Sequence, residues 1–325
     1  MNSGERVSVA RRVWRASVDY LGLVLFLVVL FIGFGLASRR FLSLGVLRTI
    51  ANQVPHAVVL AVAMTYVLTI AGIDLSVGSV LALSCAVLGV VVQKAHLPLA
   101  VGIVACVGAG TLCGVINGAL TIAWRLPSFI VTLGMLEMAR GGAYLVTSMR
   151  SVNIPKVEVL AWEPFLGLSL PFFVALVVVV VGQFVLSRTV FGRYVVAIGT
   201  NEEAVRLSGI DPRPVKLAVF ALSGFLAGLA AVLHAARLPS ANPNIGQGYE
   251  LEAIAATVIG GTSLMGGRGS VVASFLGVLI MAVLLFGLAA VGVPEEYKRM
   301  VTGLVIIAAV VADYYRRRLA TLRRR

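Results

Sequence analysis

The side chains with chemistry to offer are few and lie in apolar company. Asp74 is the sole acidic residue between Asp19 and Glu137, in the run Ala71-Gly72-Ile73-Asp74-Leu75-Ser76-Val77-Gly78-Ser79. A carboxylate at such a glycine-flanked break is costly unless it faces water, a partner or a helix N-terminus. Either Asp74 or Ser76 can cap the helix expected to start near Val77. Asn117, beside Gly118 in an apolar stretch, must find a hydrogen-bond partner on a neighbouring helix or in a wetted pathway. Glu137 and Arg140 lie three apart, a spacing that lets them neutralise each other on one helix face. His56, His96 and His234 are dispersed along the chain, so no metal site is expected, and no nucleophile–base grouping stands out. Cys85, Cys106 and Cys113 sit in apolar runs and read as small buried hydrophobes. None of the four lysines follows a glycine, which excludes a phosphate-cradling Gly-x4-Gly-Lys-Ser/Thr loop. Any energy from ATP must come from another polypeptide.

The elements that would position these residues follow from composition. Of 325 residues 59% are apolar and 13% charged, against roughly 25% charged in ordinary globular proteins. A soluble fold cannot hide so much apolar surface, so the solvent is lipid. The expectation is an all-α polytopic membrane protein. Ten spans are predicted, at about 20–37, 46–71, 77–92, 99–123, 128–147, 170–186, 215–236, 250–264, 270–291 and 297–312. The eighth is short enough to be re-entrant. The net charge of +13 concentrates at the chain ends, with Arg6, Arg11, Arg12 and Arg15 at one and Arg316 to Arg318 and Arg323 to Arg325 at the other. Under the ten-span topology most of the 27 Lys and Arg share the side of the termini, which places both termini in the cytoplasm. Basic clusters flanking apolar spans suit a lipid surface, and no nucleic-acid partner is expected. No polar segment is long enough for a separate soluble domain.

The longest polar stretch follows the sixth span. Asn201 is a good helix N-cap, with Glu202 and Glu203 in the first turn. Gly209 suits a left-handed C-terminal cap, and Pro212 and Pro214 stop the helix. A short helix with fixed ends reads as a docking element or as an ordinary amphipathic surface helix. The run Gly72-x-x-Leu-x-x-Gly returns loosely as Gly261-x-x-Leu-x-x-Gly, consistent with a degenerate internal repeat or with chance similarity of glycine-rich turns.

Gly199-Thr200-Asn201-Glu202-Glu203-Ala204 resembles the coupling loop of ABC importer permeases. The wider text resembles the ribose-type monosaccharide branch of the branched-chain/ribose permease family. The matching pieces are the Asp74 run, Ile116-Asn117-Gly118, Leu126-Pro127-Ser128-Phe129-Ile130-Val131-Thr132-Leu133-Gly134, and Gly248-Tyr249-Glu250-Leu251-Glu252-Ala253 running into Gly260-Gly261-Thr262 and Gly266-Gly267-Arg268-Gly269-Ser270. They keep family order across about residues 50–313. The family usually carries glycine where Ala71 stands and often alanine where Val205 stands.

The resemblance implies one permease domain over 1–325, with a cytoplasmic tail at 1–18, a coupling loop at 188–214 and a basic tail at 314–325. It assigns ATPase coupling to Gly199, Asn201, Glu202, Glu203, Ala204, Gly209 and Ile210. Asn117 is expected on the substrate pathway. For Asp74 and Ser76 sugar contact is the rival to capping, and capping is favoured. Gly72, Gly78, Gly260, Gly261, Gly266 and Gly267 are structural. Implied partners are an ATP-binding cassette subunit, a periplasmic sugar-binding protein and a second permease copy, as homodimer or close heterodimer. The chain itself would bind no cofactor, ATP-Mg residing on the partner subunit, and would catalyse no covalent chemistry. The implied place is the bacterial inner membrane and the implied cargo a ribose-like sugar. Sister permeases for autoinducer-2 or sugar alcohols remain alternatives. An ion-coupled secondary transporter would need intramembrane carboxylates, of which Glu137 alone sits centrally.

Overall fold

The computed structural model describes residues 3–38 and 41–322. The helices are α1 (Ser3–Ala37), α2 (Leu44–Gln53), α3 (Pro55–Thr69), α4 (Val77–Gly89), α5 (Leu99–Ala123), α6 (Ser128–Thr147), α7 (Leu170–Arg188), α8 (Val190–Leu207), α9 (Arg213–Arg237), α10 (Tyr249–Ile259), α11 (Val271–Ala290) and α12 (Glu295–Leu322). A π-helical turn, Val90–Lys94, extends α4, and a 3-10 helix covers Pro155–Ala161. Two-residue strands β1 (Val152–Asn153) and β2 (Ser240–Ala241) pair antiparallel, with Val152 opposite Ala241. The chain is thus an all-α polytopic membrane protein.

Among the described residues seven helices are long and apolar enough to cross a bilayer. An eighth crossing arises if α2 and α3, bent by 49° at Val54–Pro55, count as one broken span. The two remaining expected spans look different. At 11 residues α10 is about 16 Å long, half the hydrocarbon thickness. The α12 helix opens on Glu295 and Glu296 and carries arginines near its end, so its apolar stretch is short.

The α3 helix has apolar residues all round and is buried all round, the pattern of a central element. It lies against α9, α10, α11 and α7. The α1 helix is peripheral. It rests on α11, where the Tyr20 hydroxyl and the Ser270 Oγ lie 2.9 Å apart. The closest pair is α5 with α9, antiparallel, where Gly110 and Gly114 face Gly224 and Gly228. A Cβ on Gly114 would meet the Gly224 backbone nitrogen at 2.9 Å. Lipid tails are as apolar as leucine, so helices here gain by close backbone approach, which only small residues allow.

The polar stretch after the sixth span is more helical than a loop. The α8 helix already begins at Val190, where the Thr189 Oγ1 accepts the Gly192 N–H. It breaks at Asn201 (φ −163°, ψ 97°), and a short second helix follows.

Candidate functional site

Two groups of sequence-selected residues come together, one inside the bundle and one at its α8 end. The inner group starts from the non-helical segment Ile73–Ser76 between α3 and α4. Its backbone is held by α6: the Ile73 N–H donates to Ser128 Oγ (2.9 Å) and the Leu75 N–H to Thr132 Oγ1 (3.1 Å). So held, Asp74 turns inward and is 2% exposed. Its Oδ1 accepts the Ser76 N–H (2.9 Å) and hydroxyl (2.6 Å), and its Oδ2 accepts the Ser223 hydroxyl of α9 (2.7 Å). Three donors stabilise a carboxylate that would otherwise be costly at this depth.

Asn117 of α5 joins by donating its Nδ2 to Ser76 Oγ (3.0 Å). Its Oδ1 has no partner among the described residues. No room for a water molecule remains at the centre of this knot. The expected helix cap takes another form here. Asp74 bonds within its own turn, and Ser76 makes no side-chain bond to the first free N–H groups of α4.

The α8 end is built on glycines. In the second helix of α8, Asn201 Oδ1 accepts the Ala204 N–H at 3.0 Å, as an N-cap should. At the other end the Gly209 N–H donates to the Arg206 carbonyl and the Ile210 N–H to the Val205 carbonyl. That is a Schellman closure, and it needs the positive φ (+82°) that Gly209 adopts. Between these caps Glu202, Glu203, Ala204 and Leu207 are exposed, Leu207 by 80%. Lys216 of α9 pairs with Glu202 at 3.0 Å and fixes the tip to the bundle.

Gly199 is the point of contact inward. A Cβ there would strike the Thr69 carbonyl and lie 2.7 Å from the Gly267 nitrogen. The Gly267 N–H itself donates to that carbonyl (2.9 Å). Gly266, with φ +86°, lets its turn lie against Ala71. The end of α3, the α10–α11 turn and α8 therefore meet within van der Waals contact. Gly260 touches the α11 backbone, and Gly78 meets the Gly246 carbonyl and the Glu250 carboxylate.

Three sequence expectations change. Glu137 and Arg140 do not form an ion pair among the described residues. Arg140 instead donates its Nη1 to the carbonyls of Pro243 and Ile245, both at 2.7 Å, and anchors the loop before α10. His56 and His234 are not dispersed in space; their rings lie 5.1 Å apart. The described residues contain no His/Cys/Asp/Glu group able to hold a metal ion. The repeat of Gly72 as Gly261 is one residue out of register, because Ala71 and Gly261 occupy the equivalent left-handed position. Ser223 was missed altogether, and Ser128 and Thr132 were noted in a family motif without this role. The four-residue spacing of Ser128 and Thr132 on one helix face was their available signal.

A sequence profile of the family described as "Branched-chain amino acid transport system / permease component" matches residues 46–310. The chain belongs to this permease family. Among curated relatives, the permease is 38% identical over 295 residues to a ribose import permease protein of Haemophilus influenzae, covering 89% of this chain and 91% of the relative. It is 36% identical over 307 residues to an L-arabinose ABC transporter permease protein of Azospirillum brasilense (94% and 90%). It is 34% identical over 305 residues to a fructose import permease protein of Rhizobium meliloti (90% and 85%). No solved structure matches the chain. The permease is a transport subunit and not an enzyme.

Proposed function

We propose that the permease is the membrane-spanning subunit of an ATP-binding-cassette importer that carries a monosaccharide, ribose or a similar sugar, across the bacterial inner membrane. The observation that carries this reading is the full-length similarity to permeases named for ribose, arabinose and fructose. The same names favour a monosaccharide over autoinducer-2 or a sugar alcohol. Partners in this reading are a separate ATPase subunit, a periplasmic sugar-binding protein and a second permease copy or close homologue in surrounding lipid. The chain binds no cofactor, no metal and no nucleic acid, and ATP-Mg belongs to the ATPase.

The proposed topology has ten crossings within a single domain, 1–325, counting α10 and α12. The tails 1–18 and 314–325 and the segment 188–214 are cytoplasmic, and 148–166 and 237–249 face outside. The Lys/Arg asymmetry supports it. So does the β1–β2 pairing, which requires residues 152–153 and 240–241 to share a side.

In the proposed mechanism the ATPase grips the exposed tip at Asn201 to Ile210. Closure of the ATPase pulls α8, and the pull passes through Gly199 to the Thr69 carbonyl and on to the Asp74 segment. Parting of α4, α5 and α9 would then open the knot and turn Asn117 and Ser76 toward passing sugar hydroxyls. The unpartnered Asn117 Oδ1 supports that role. The test is ATP-dependent uptake of radiolabelled ribose, arabinose and fructose by proteoliposomes containing the permease with its cognate ATPase and sugar-binding protein. Uptake of at least one is expected, and uptake of none would overturn the reading.

A further inference from the structure

A recess of about 380 Å³ lies between α3, α10, α11 and α12, apart from the Asp74 knot and from the α8 tip. Its size is that of a small-ligand site. Its polar lining is Gln53, His56, Arg237, Tyr249, Glu252 and Lys298. Lys298 is paired with Glu295. The side chains of the other five make no hydrogen bond or ion pair among the described residues, so donors and acceptors of both kinds line the space. The rest of its lining is apolar and includes Met281 and Phe286 of α11.

Two discontinuous elements meet here. One is the bend between α2 and α3, which brings Gln53 and His56 to the recess. The other is the start of α10, a helix too short to span, which brings Tyr249 and Glu252. Helices that start or break inside the bilayer leave backbone and side-chain polar groups at depth, the feature with which secondary transporters bind solutes and one that an importer permease can use in the same way. The rings of His56 and Tyr249 lie 5.2 Å apart at 32° and form an aromatic wall. Behind them His234 is 4% exposed, and neither ring nitrogen has a partner among the described residues. An orphaned buried imidazole is expensive and seldom kept in a purely structural core.

We propose that this recess is the outward-facing resting site of the transported monosaccharide. Gln53, Arg237 and Glu252 would exchange hydrogen bonds with its hydroxyls, and the ring of Tyr249 would cover its C–H face. The assignment rests on the sugar-import reading and on the topology given above. A sugar suits this chemistry better than an acyl chain, because four unpaired polar side chains beside Tyr249 would gain nothing from a hydrocarbon tail.

The experiment uses the reconstituted importer with Cys85, Cys106 and Cys113 replaced by alanine, Ala253→Cys on the recess wall, and Val159→Cys on the exposed 3-10 helix of the outer segment 148–166 as control. The rate of modification by a small methanethiosulfonate reagent is read with and without binding protein loaded with whichever of ribose, arabinose or fructose the wild type transports. Loaded binding protein, compared with empty, should slow Ala253→Cys modification about tenfold and leave Val159→Cys unchanged. Separately, Glu252→Gln and Tyr249→Leu should each cut uptake at least tenfold while the ATPase still co-purifies. Sugar-independent labelling in an importer that transports would overturn the proposal and leave the sugar-import reading standing. So would labelling blocked in lipid regardless of sugar and released in detergent, which would mean an acyl chain fills the recess. No transport of any of the three by the wild type would overturn the sugar-import reading and this assignment with it.

Discussion

Gly199 and Gly209 bracket the same exposed tip yet are glycine for different reasons, and separating them tests how the tip is wired to the bundle. At Gly209 an added Cβ meets nothing within 4 Å, so Gly209→Ala costs only the left-handed backbone, about 1–2 kcal/mol. The loss falls on the closure of a short helix and frays the surface offered to the ATPase. At Gly199 the backbone is ordinary, but a Cβ would collide with the Thr69 carbonyl and crowd the Gly267 nitrogen at 2.7 Å. Overpacking of this kind costs about 1–3 kcal/mol, and displacing the Gly267–Thr69 hydrogen bond adds about 1 kcal/mol. The relief available to Gly199→Ala is for α8 to lift off the α3 terminus while Asn201, Glu202 and Leu207 stay folded and exposed. Gly209→Ala should therefore weaken ATPase retention on an affinity column about fivefold to thirtyfold, with uptake per ATP near normal in complexes that form. Gly199→Ala should retain the ATPase and hydrolyse ATP but lose most uptake per ATP. Normal uptake per ATP in Gly199→Ala, with normal expression, would refute the claim that force passes through the Thr69 carbonyl.

Ala71 holds φ +61°, a left-handed conformation that favours glycine. Ala71→Gly removes about 1–2 kcal/mol of left-handed strain against about 0.5–1 kcal/mol of added chain freedom, so the melting temperature in detergent should rise slightly. Ser223→Ala deletes one of three donors to Asp74 and should cost about 1.5–3 kcal/mol, seen as a lower melting temperature, with Ser223→Thr milder. Asn117→Leu removes the donor to Ser76 and should reduce sugar uptake while the complex still assembles; normal uptake would make the amide dispensable. Arg140→Met frees two carbonyls from the side-chain donor they share and should raise hydrogen exchange across residues 243–249, measured by mass spectrometry; unchanged protection would show that the loop holds itself.

The spans around Asn117 and Glu137 could be read from hydropathy to the residue, because α5 and α6 are bounded by prolines and by a left-handed Ser148. The caps at Asn201 and Gly209 were equally legible, since capping is local chemistry. What escaped depends on the third dimension. Ser223 looks like any small residue of an apolar helix until α9 brings it to Asp74. The i,i+3 rule paired Arg140 with Glu137, but two buried carbonyls are the stronger claim on a guanidinium, and the loop that supplies them is about a hundred residues away. The meeting of His56 and His234 is likewise invisible to spacing. The shortness of α10 did leave a trace, in that Gly260-Gly261 stops the helix long before its apolar run would span.

The corrected repeat register sharpens what the two turns share and where they part. After α3, the N–H groups of Ala71 and Gly72 return to Leu68 and Val67; after α10, those of Gly261 and Thr262 return to Val258 and Thr257. These are the same closure, so Ala71 corresponds to Gly261 and Gly72 to Thr262. Carried forward, the register sets Asp74 against Leu264 and Ser76 against Gly266. One copy thus spends the positions after its cap on a buried carboxylate and its donors, and the other on glycines that press against Ala71 and Thr200. A repeat whose copies had kept the same residues could hold two polar knots or two glycine contacts, but not one bearing on the other. The divergence gives this fold a rigid contact surface from one turn and a hydrogen-bonded, separable cluster from the other, joined by the bond from Gly267 to Thr69. Motion imposed on α8 then has a defined place to arrive, which the sequence similarity of the two turns alone would not provide.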